Sequence, residues 1–413
     1  MAATGILSDF VAAAGPVPDE SRAVAELSRL DTLCAAAAGT HTPSGATIGA
    51  FADELGTAHG PWLAWRTSAL AGASGMDDTA AFGAAGAPVW GALCAAAGTD
   101  EPGTAGLDAF AIGVHAASAL WRASRYREAE RGFAGTSVFG TVAAAVACAV
   151  LFGHDQARVT ATLAVAASSA GGLIANHGTT AALTHAGNAA RDGLVAARLA
   201  EGGYHGATDV LESRQGFGEA FAGLSRAGFD DLETLLHQPI RLGSAVRTKL
   251  VPGHVDQQRV VRAAHELARH GVVRRFTVVG VPAASEGSRF DVPATVDEAL
   301  LSLRYALACV LRDGGPALGD LTEERVADPL VRKAMDHVRV DLSPRWRPED
   351  AEARTVLAEY ADGTTRGVDI AELPVTASAV EVAGKWRSAR EFVADGTLDT
   401  YIDRMDQCST VKL

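Results

Sequence analysis

The stretch Thr248-Lys249-Leu250-Val251-Pro252-Gly253-His254 sets a lysine and a histidine on either side of a Pro-Gly turn. Proline and glycine stop a helix from running through such a segment, so both side chains can converge from a loop. A cation able to meet a carboxylate and a proton carrier that titrates near neutral pH are what acid/base chemistry on a small organic acid requires. The competing reading is a solvated lysine beside a surface-loop histidine.

Those residues need a scaffold. At 413 residues the chain is long enough for roughly two or three domains. Hydrophobic residues make up 48% and charged residues 21%, as in an ordinary globular enzyme. Long Ala-rich runs and 44 glycines predict helices that approach closely. A net charge of −13 argues against nonspecific binding to nucleic acid or to an anionic membrane. A local cluster such as Lys249 with Arg247 would still accept an anionic substrate. The cysteines (Cys34, Cys94, Cys148, Cys309, Cys408) are scattered, without metal-site spacing, which suits a reducing cytoplasm and argues against a zinc site. No basic segment followed by a leader-like apolar core opens the chain, so no signal peptide is expected. The apolar run Val142 to Phe152 is too short to span a bilayer and reads as a buried core helix.

Residues 1 to about 240 read as helical throughout. Glu20 to Ala38, Ala105 to Ala123, Ser137 to Leu151, Gln156 to Ala170 and Leu183 to Glu201 carry apolar residues at helical spacing. Asp155 is a candidate N-cap, and no period-two alternation is seen in this half. The character then changes. Arg274 to Val281 and Asp336 to Leu342 read as strands, and Arg354 to Tyr360 with Thr365 to Ile370 as a hairpin about Asp362-Gly363. Helices are expected over Val255 to His270, Val296 to Arg312 and Ala379 to Met405. The expected organisation is a large helical domain, residues 1–244 and 379–413, and a smaller α+β domain, residues 245–378. No GxGxxG, Walker A, GxSxG or HExxH pattern supports a nucleotide cofactor, a serine hydrolase or a metal site.

The block Gly171 to Phe217 contains Gly178-Thr179-Thr180, Thr184-His185-Ala186-Gly187-Asn188-Ala189-Ala190, Gly193-Leu194-Val195-Ala196-Ala197 and Leu211-Glu212-Ser213-Arg214-Gln215-Gly216-Phe217. It resembles the MmgE/PrpD family, which includes 2-methylcitrate dehydratase, cis-aconitate decarboxylase and iminodisuccinate epimerase. Leu30-Asp31-Thr32-Leu33, Met76-Asp77-Asp78-Thr79, Gly132-Phe133-Ala134-Gly135-Thr136, Lys249 to His254 and Leu303-Arg304-Tyr305-Ala306 resemble further family motifs, in the same order. The resemblance implies a mainly α fold with an α+β lid and an active-site cleft between the two. It also implies a homodimer without an organic cofactor, acting on a small molecule.

On that resemblance His254 is the candidate general acid or base. Lys249 would neutralise a carboxylate or a developing enolate oxygen. Tyr305 would donate a hydrogen bond or proton, and Thr79 and Thr136 would position the substrate. Asp77 and Asp78 are read either as site residues or as surface-loop or N-cap residues. His185 is read as holding the start of its helix through a backbone hydrogen bond, with substrate contact as the alternative. His177 stands where the family pattern has no histidine and is a candidate replacement base.

Four positions depart from the pattern. Gly75 replaces an aspartate, Ala84 (or Ala85) and Ala134 replace histidines, and Ala182 replaces a lysine. Fewer cations and more apolar wall predict a bulkier, less anionic substrate than a tricarboxylate. The expected activity is lyase-type: proton transfer beside a carboxylate or carbonyl, with dehydration or decarboxylation. The alternatives are an isomerase, epimerase or cyclase of a specialised biosynthetic pathway, and a catalytically retired binding protein.

Overall fold

The Ala- and Gly-rich half builds a tight helical assembly. The computed structural model describes residues 2–54, 56, 59–224, 228–283, 285–343, 355–393 and 396–408. Its first helices are α1 (Ala3–Ala12), α2 (Asp19–Gly39), α3 (Pro43–Glu54), α4 (Gly60–Ala73), α5 (Gly86–Ala97), α6 (Gly103–Ala123), α7 (Gly135–Leu151), α8 (Gln156–Ser169) and α9 (Thr180–Glu201). Helix α7 is the axle, with every residue from Ser137 to Ala149 buried. A Cβ added to Gly113 of α6 would lie 2.6 Å from the Ala143 carbonyl oxygen, and one added to Gly193 of α9 would lie 2.7 Å from the Ala145 nitrogen. Small residues therefore let two helices reach the α7 backbone itself. Asp155 caps α8 by accepting the Arg158 N–H at 2.9 Å. Among the described residues no helix is long and apolar enough to cross a membrane.

This half is not wholly helical. Thr79–Ala80 (β1) pairs with Gly83–Ala84 (β2) in a miniature antiparallel hairpin. Strands of two residues leave no alternation to read, which is why the sequence gives no sign of them.

Short helices α10 (Leu232–Leu236) and α11 (Leu242–Ala245) lead to α12 (Val255–Ala268) and the long strand β3 (Val273–Pro282). Then come α13 (Val296–Ala299), α14 (Leu303–Asp313), α15 (Glu323–Ala327), α16 (Pro329–Met335), β4 (Val338–Ser343), β5 (Thr355–Tyr360) and β6 (Thr365–Asp369). The sheet order is β4-β3-β5-β6. Strand β4 runs parallel to β3, while β5 is antiparallel to both β3 and β6. The β5–β6 hairpin turns at Gly363, whose φ of +84° suits glycine. Arg354, the expected first residue of β5, lies outside the described residues. The single helix expected over Val296 to Arg312 is two, because the Ser302 hydroxyl accepts the Tyr305 N–H at 3.2 Å and starts a new helix. The last helical stretch is likewise split, into α17 (Ala379–Ser388) and α18 (Thr397–Cys408).

The architecture is thus the expected one, a large helical part with a smaller α+β part. One apolar core is formed by segments up to Val246. A second is shared by α2, the sheet, α12, α14, α17 and α18. Helix α2 serves both, giving Ala25 to the first and Leu27, Leu30, Cys34 and Ala38 to the second.

The α6–α7 contact is backbone on backbone, so side-chain repacking cannot relieve an insertion there. Gly113→Val is expected to cost about 1–3 kcal/mol or more. A melting temperature in differential scanning calorimetry equal to the wild type would contradict that packing.

Candidate active site

The Lys249–His254 segment is fixed by backbone pairing before any side chain acts. Thr79 and Arg247 exchange backbone hydrogen bonds of 2.9 and 2.7 Å. The segment does not keep a simple alternation of faces: Val246 and Lys249 are buried, while Arg247 between them is exposed. The joint cationic patch of Lys249 and Arg247 expected from the sequence is therefore not formed. The Lys249 ammonium donates to Asp77 Oδ1 at 2.7 Å, with both side chains only 8% exposed. Its charge is spent on a neighbouring carboxylate and is not directed at a ligand.

Gly253 (φ +140°) donates its N–H to the Gly75 carbonyl at 3.1 Å, and His254 donates its own to the Leu300 carbonyl at 3.1 Å. A Cβ at Gly75 would stand 2.7 Å from a Leu300 methyl. Gly75 has φ +66°, so an aspartate there would be strained as well as crowded by Leu300 and the Gly253 nitrogen.

Below this segment lies a buried charge cluster. Lys385 of α17 donates to Asp31 Oδ1 of α2 at 2.7 Å, and to the carbonyls of Met76 (3.0 Å) and Lys249 (2.7 Å). Trp386 Nε1 donates to the same Asp31 oxygen at 2.7 Å. Burial works against both charges, raising the Asp31 carboxyl and lowering the Lys385 ammonium from their ordinary values. Asp78 accepts the Gly86 N–H at 2.5 Å and a very short hydrogen bond from the Ser28 hydroxyl. Burial pushes its carboxyl up to about 7, and the charges of Asp31 and Asp77 push the same way. Asp77 and Asp78 are thus buried, not surface-loop residues. Asp78 holds the first turn of α5 through Gly86, a capping contact made from a distance.

Histidines gather beside this cluster. His254 is the N-cap of α12, and its Nδ1 accepts the Asp256 N–H at 3.3 Å. In the neutral ring that leaves the proton on Nε2. His177 places Nδ1 2.8 Å from Glu286 Oε2. The His185 ring lies 6.0 Å from the His177 ring. Burial and the neighbouring His177 lower the His185 imidazole to about 4, so it is neutral at ordinary pH. Among the described residues the His185 ring makes no hydrogen bond to the backbone of its helix start, against the sequence reading. The loop after β3 joins the group, since a Cβ on Gly287 would lie 3.5 Å from the His254 Cβ. Burial raises the Glu286 carboxyl, but His177, Arg289 and His254 outweigh it and hold it below its usual range.

The remaining candidates divide. Thr136 accepts the Ala84 N–H at 3.0 Å, so its hydroxyl anchors β2 to the start of α7. Among the described residues the buried Thr79 and Ser137 hydroxyls have no hydrogen-bond partner. Ser137 and His185 both adjoin Gly172, whose added Cβ would meet the Ser137 hydroxyl at 2.3 Å and His185 Cδ2 at 3.1 Å. Tyr305 goes elsewhere: it is 3% exposed, within the core of the α+β part, where Cys309, Asp320 and Arg325 surround its hydroxyl. Burial raises its phenol above the ordinary value. The Tyr305 hydroxyl is therefore not brought to the histidines.

Two important residues carried no sequence signal. Glu286 sits in an unpatterned loop, and Lys385 looks like any lysine on an amphipathic helix. Cavities of about 560 and 630 Å³ open beside Thr248, yet neither is lined by His177, His185 or His254. The larger cavity is instead lined by Arg259, Arg262, His265, Glu266, Arg269 and Glu381, away from the three histidines. Among the described residues no group of His, Cys, Asp and Glu side chains is arranged to hold a metal ion.

Two family models match the chain. The MmgE/PrpD N-terminal domain matches residues 6–230 and the MmgE/PrpD C-terminal domain matches residues 258–395. Human cis-aconitate decarboxylase is 30% identical over 260 residues, 59% of this chain and 53% of that protein. The mouse cis-aconitate decarboxylase is 29% identical over 283 residues, 64% of this chain and 57% of that protein. The chain thus spans just over half the length of the curated relatives it matches.

The charge cluster generates two expectations. Lys385→Met strands Asp31 without its cation and is expected to cost about 3–5 kcal/mol, with part of the loss recovered by adding Asp31→Asn. Urea unfolding of the two variants reads this, and a single variant as stable as wild type would refute it. The second concerns pH. A folded-state carboxyl raised to about 7 makes the native state hold a proton that the unfolded state releases. The contribution of Asp78 to stability is therefore present at low pH and lost as pH rises through about 7. The stability of wild type minus that of Asp78→Asn should fall between pH 4 and 7, by up to about 1.4 kcal/mol per pH unit. A difference independent of pH would count against a raised Asp78.

Proposed function

We propose that this chain, which belongs to the MmgE/PrpD family, is a lyase-type enzyme that transfers a proton at a carbon next to a carboxylate or carbonyl, with loss of water or carbon dioxide. The proposed substrate is a small organic acid with fewer negative charges than a tricarboxylate. One observation carries this reading: Lys249, the lysine beside the site, is already neutralised by Asp77 at 2.7 Å, while uncharged His185 and partly exposed His177 and His254 remain.

Abstracting a proton beside a carboxylate needs a base within about 3 Å and a hydrogen-bond donor for the oxygen that gains charge. His254 suits the donor role, because its Nδ1 is used by the Asp256 N–H and its Nε2 carries the proton. The buried hydroxyls of Thr79 and Ser137 lack partners and suit a neutral carbonyl or one carboxylate. A tricarboxylate brings charges that these groups do not balance. Alanines at 84, 134 and 182 add room rather than charge.

The same shortage of cations favours a second reading, isomerisation or cyclisation by the same proton transfer without loss of a fragment. Expelling hydroxide or carbon dioxide from a polyanion gains most from nearby cations, whereas moving a proton between two carbons gains less.

The test uses cis-aconitate, citrate and a branched unsaturated monoacid, following absorbance of the unsaturated acid, evolved carbon dioxide and proton NMR. Turnover of the monoacid with little turnover of the polyacids is expected, and His254→Ala should lower it about 10²-fold or more. Turnover of the tricarboxylates in preference to the monoacid would overturn the substrate class. Retention of activity within threefold in His254→Ala would remove its role, and binding without any turnover would favour a retired site.

A further inference from the structure

We infer that His177 is the proton-abstracting base of this site and that Glu286, supplied by the loop after β3, is the residue that positions it. The inference rests on the proton-transfer reading above. It assigns the base to a residue outside the Lys249–His254 turn and adds a carboxylate from a different part of the chain.

The geometry is that of a carboxylate–imidazole pair. Glu286 Oε2 lies 2.8 Å from His177 Nδ1. Arg289 donates to both Glu286 oxygens, at 3.0 and 3.2 Å, so the carboxylate is itself held in place. A carboxylate below its usual range remains an acceptor, and it fixes the His177 proton on Nδ1. The lone pair then lies on Nε2, which makes no hydrogen bond among the described residues. The His177 side chain is 24% exposed and the Glu286 side chain 26%, so the pair is open to a small molecule.

Packing as well as charge sets this pair. His177 follows the turn Ile174–Asn176 and donates its N–H to the Ile174 carbonyl at 2.9 Å. The next residue, Gly178, has φ +86°, and a Cβ there would meet the Phe290 ring at 2.4 Å. The loop that carries Glu286 is thus seated directly on the turn that carries His177. Its Gly287 lies against His254. The two histidines are in opposite tautomers: His177 offers a lone pair on Nε2 and His254 a proton on Nε2. Neutral His185 adds no competing charge.

The step balances without a co-reactant. The C–H bond beside the carboxylate or carbonyl breaks, its proton goes to His177 Nε2, and its electron pair forms the enolate. In an isomerisation the imidazolium of His177 returns the proton to a different carbon. In a dehydration the electron pair expels the β-hydroxyl group, which takes the proton from the His177 imidazolium and leaves as water while His254 Nε2–H hydrogen-bonds the enolate oxygen, so both histidines end as they began.

The test uses the full chain in D₂O with crotonate, itaconate and cis-aconitate, reading carbon-bound deuterium by NMR, together with the ¹⁵N spectrum of the histidine rings. His177→Asn should lower exchange about 10²-fold or more. Glu286→Gln should lower the exchange rate at saturation while leaving the half-saturating concentration within about twofold, and should shift the His177 proton away from Nδ1. Glu286→Asp should recover part of the rate, which a merely structural loop contact would not. Exchange in His177→Asn within threefold of wild type overturns the proposal. A wild type that exchanges none of the acids counts against the proton-transfer reading itself. The ring spectrum then decides the pair: a proton on Nδ1 that Glu286→Gln displaces upholds it, and a proton on Nε2 in the wild type overturns it.

Discussion

The Lys385–Asp31 contact is the constraint on which the site depends. A lysine from the penultimate helix enters a fully buried position and meets an aspartate of α2, and its remaining donors go to the carbonyls of Met76 and Lys249. An ammonium has three donors, and all three are used on three separate segments. The loop carrying Asp77, Asp78 and Thr79 and the strand carrying Lys249 are thereby held to one point. Breaking such a pair exposes an uncompensated charge to an apolar interior, so the arrangement is strongly all-or-none. Asp31, Asp77 and Asp78 face only Lys249 and Lys385 in this cluster, and burial raises the carboxyl left without a lysine, Asp78, to about 7.

Electroneutrality below the site limits the chemistry above it. Lys249 stands where a free cation would serve an anionic substrate, yet its charge closes the Asp77 pair. The groups left at the site are imidazoles, hydroxyls and a Glu286 carboxylate already paired with Arg289. Such groups move protons well and balance polyanions poorly. The proposed shift toward a less anionic substrate thus rests on two independent facts, alanine at three positions and a lysine already engaged. Neither fact depends on the other, since the alanines were visible in the sequence and the ion pair only in three dimensions.

Much of the fold was legible because it rests on local chemistry. The limits of α6, α7 and α8 follow from periodicity and from Asp155, and the β5–β6 hairpin follows from Asp362-Gly363. The break within 296–312 was missed because the Ser302 cap is a weaker signal than the helical pattern around it, and the stretch 379–405 likewise kept its helical pattern across the break after Ser388. The site was legible only in part. His254 and Lys249 stood out through their turn, but the partner of Lys249 is 172 positions away. Tyr305 matched a motif, yet it sits on the inward face of α14, where the alternative to burial is an exposed apolar ring. Glu286 and Lys385 could not be found from the sequence, since their importance lies wholly in what folding brings to them.

The role proposed for His177 lets the site differ while its frame persists. The charge cluster, the Thr79–Arg247 bridge and the His254 cap fix the frame, and none of them involves His177. Residue 177 lies in a short turn whose neighbours Gly178 and Gly172 take left-handed backbone angles that admit close contact. A side chain there can change without disturbing the helices, provided that the loop from 285 to 290 accommodates it. Glu286 does so with a 2.8 Å contact, so one new histidine acquires an orienting carboxylate from an existing loop. Alanines at the older positions then cost the fold little, because the segments that carry them are tied through backbone atoms and Thr136. On the proposed reading the chemistry is carried by the replaceable layer and the geometry by the buried ions beneath it.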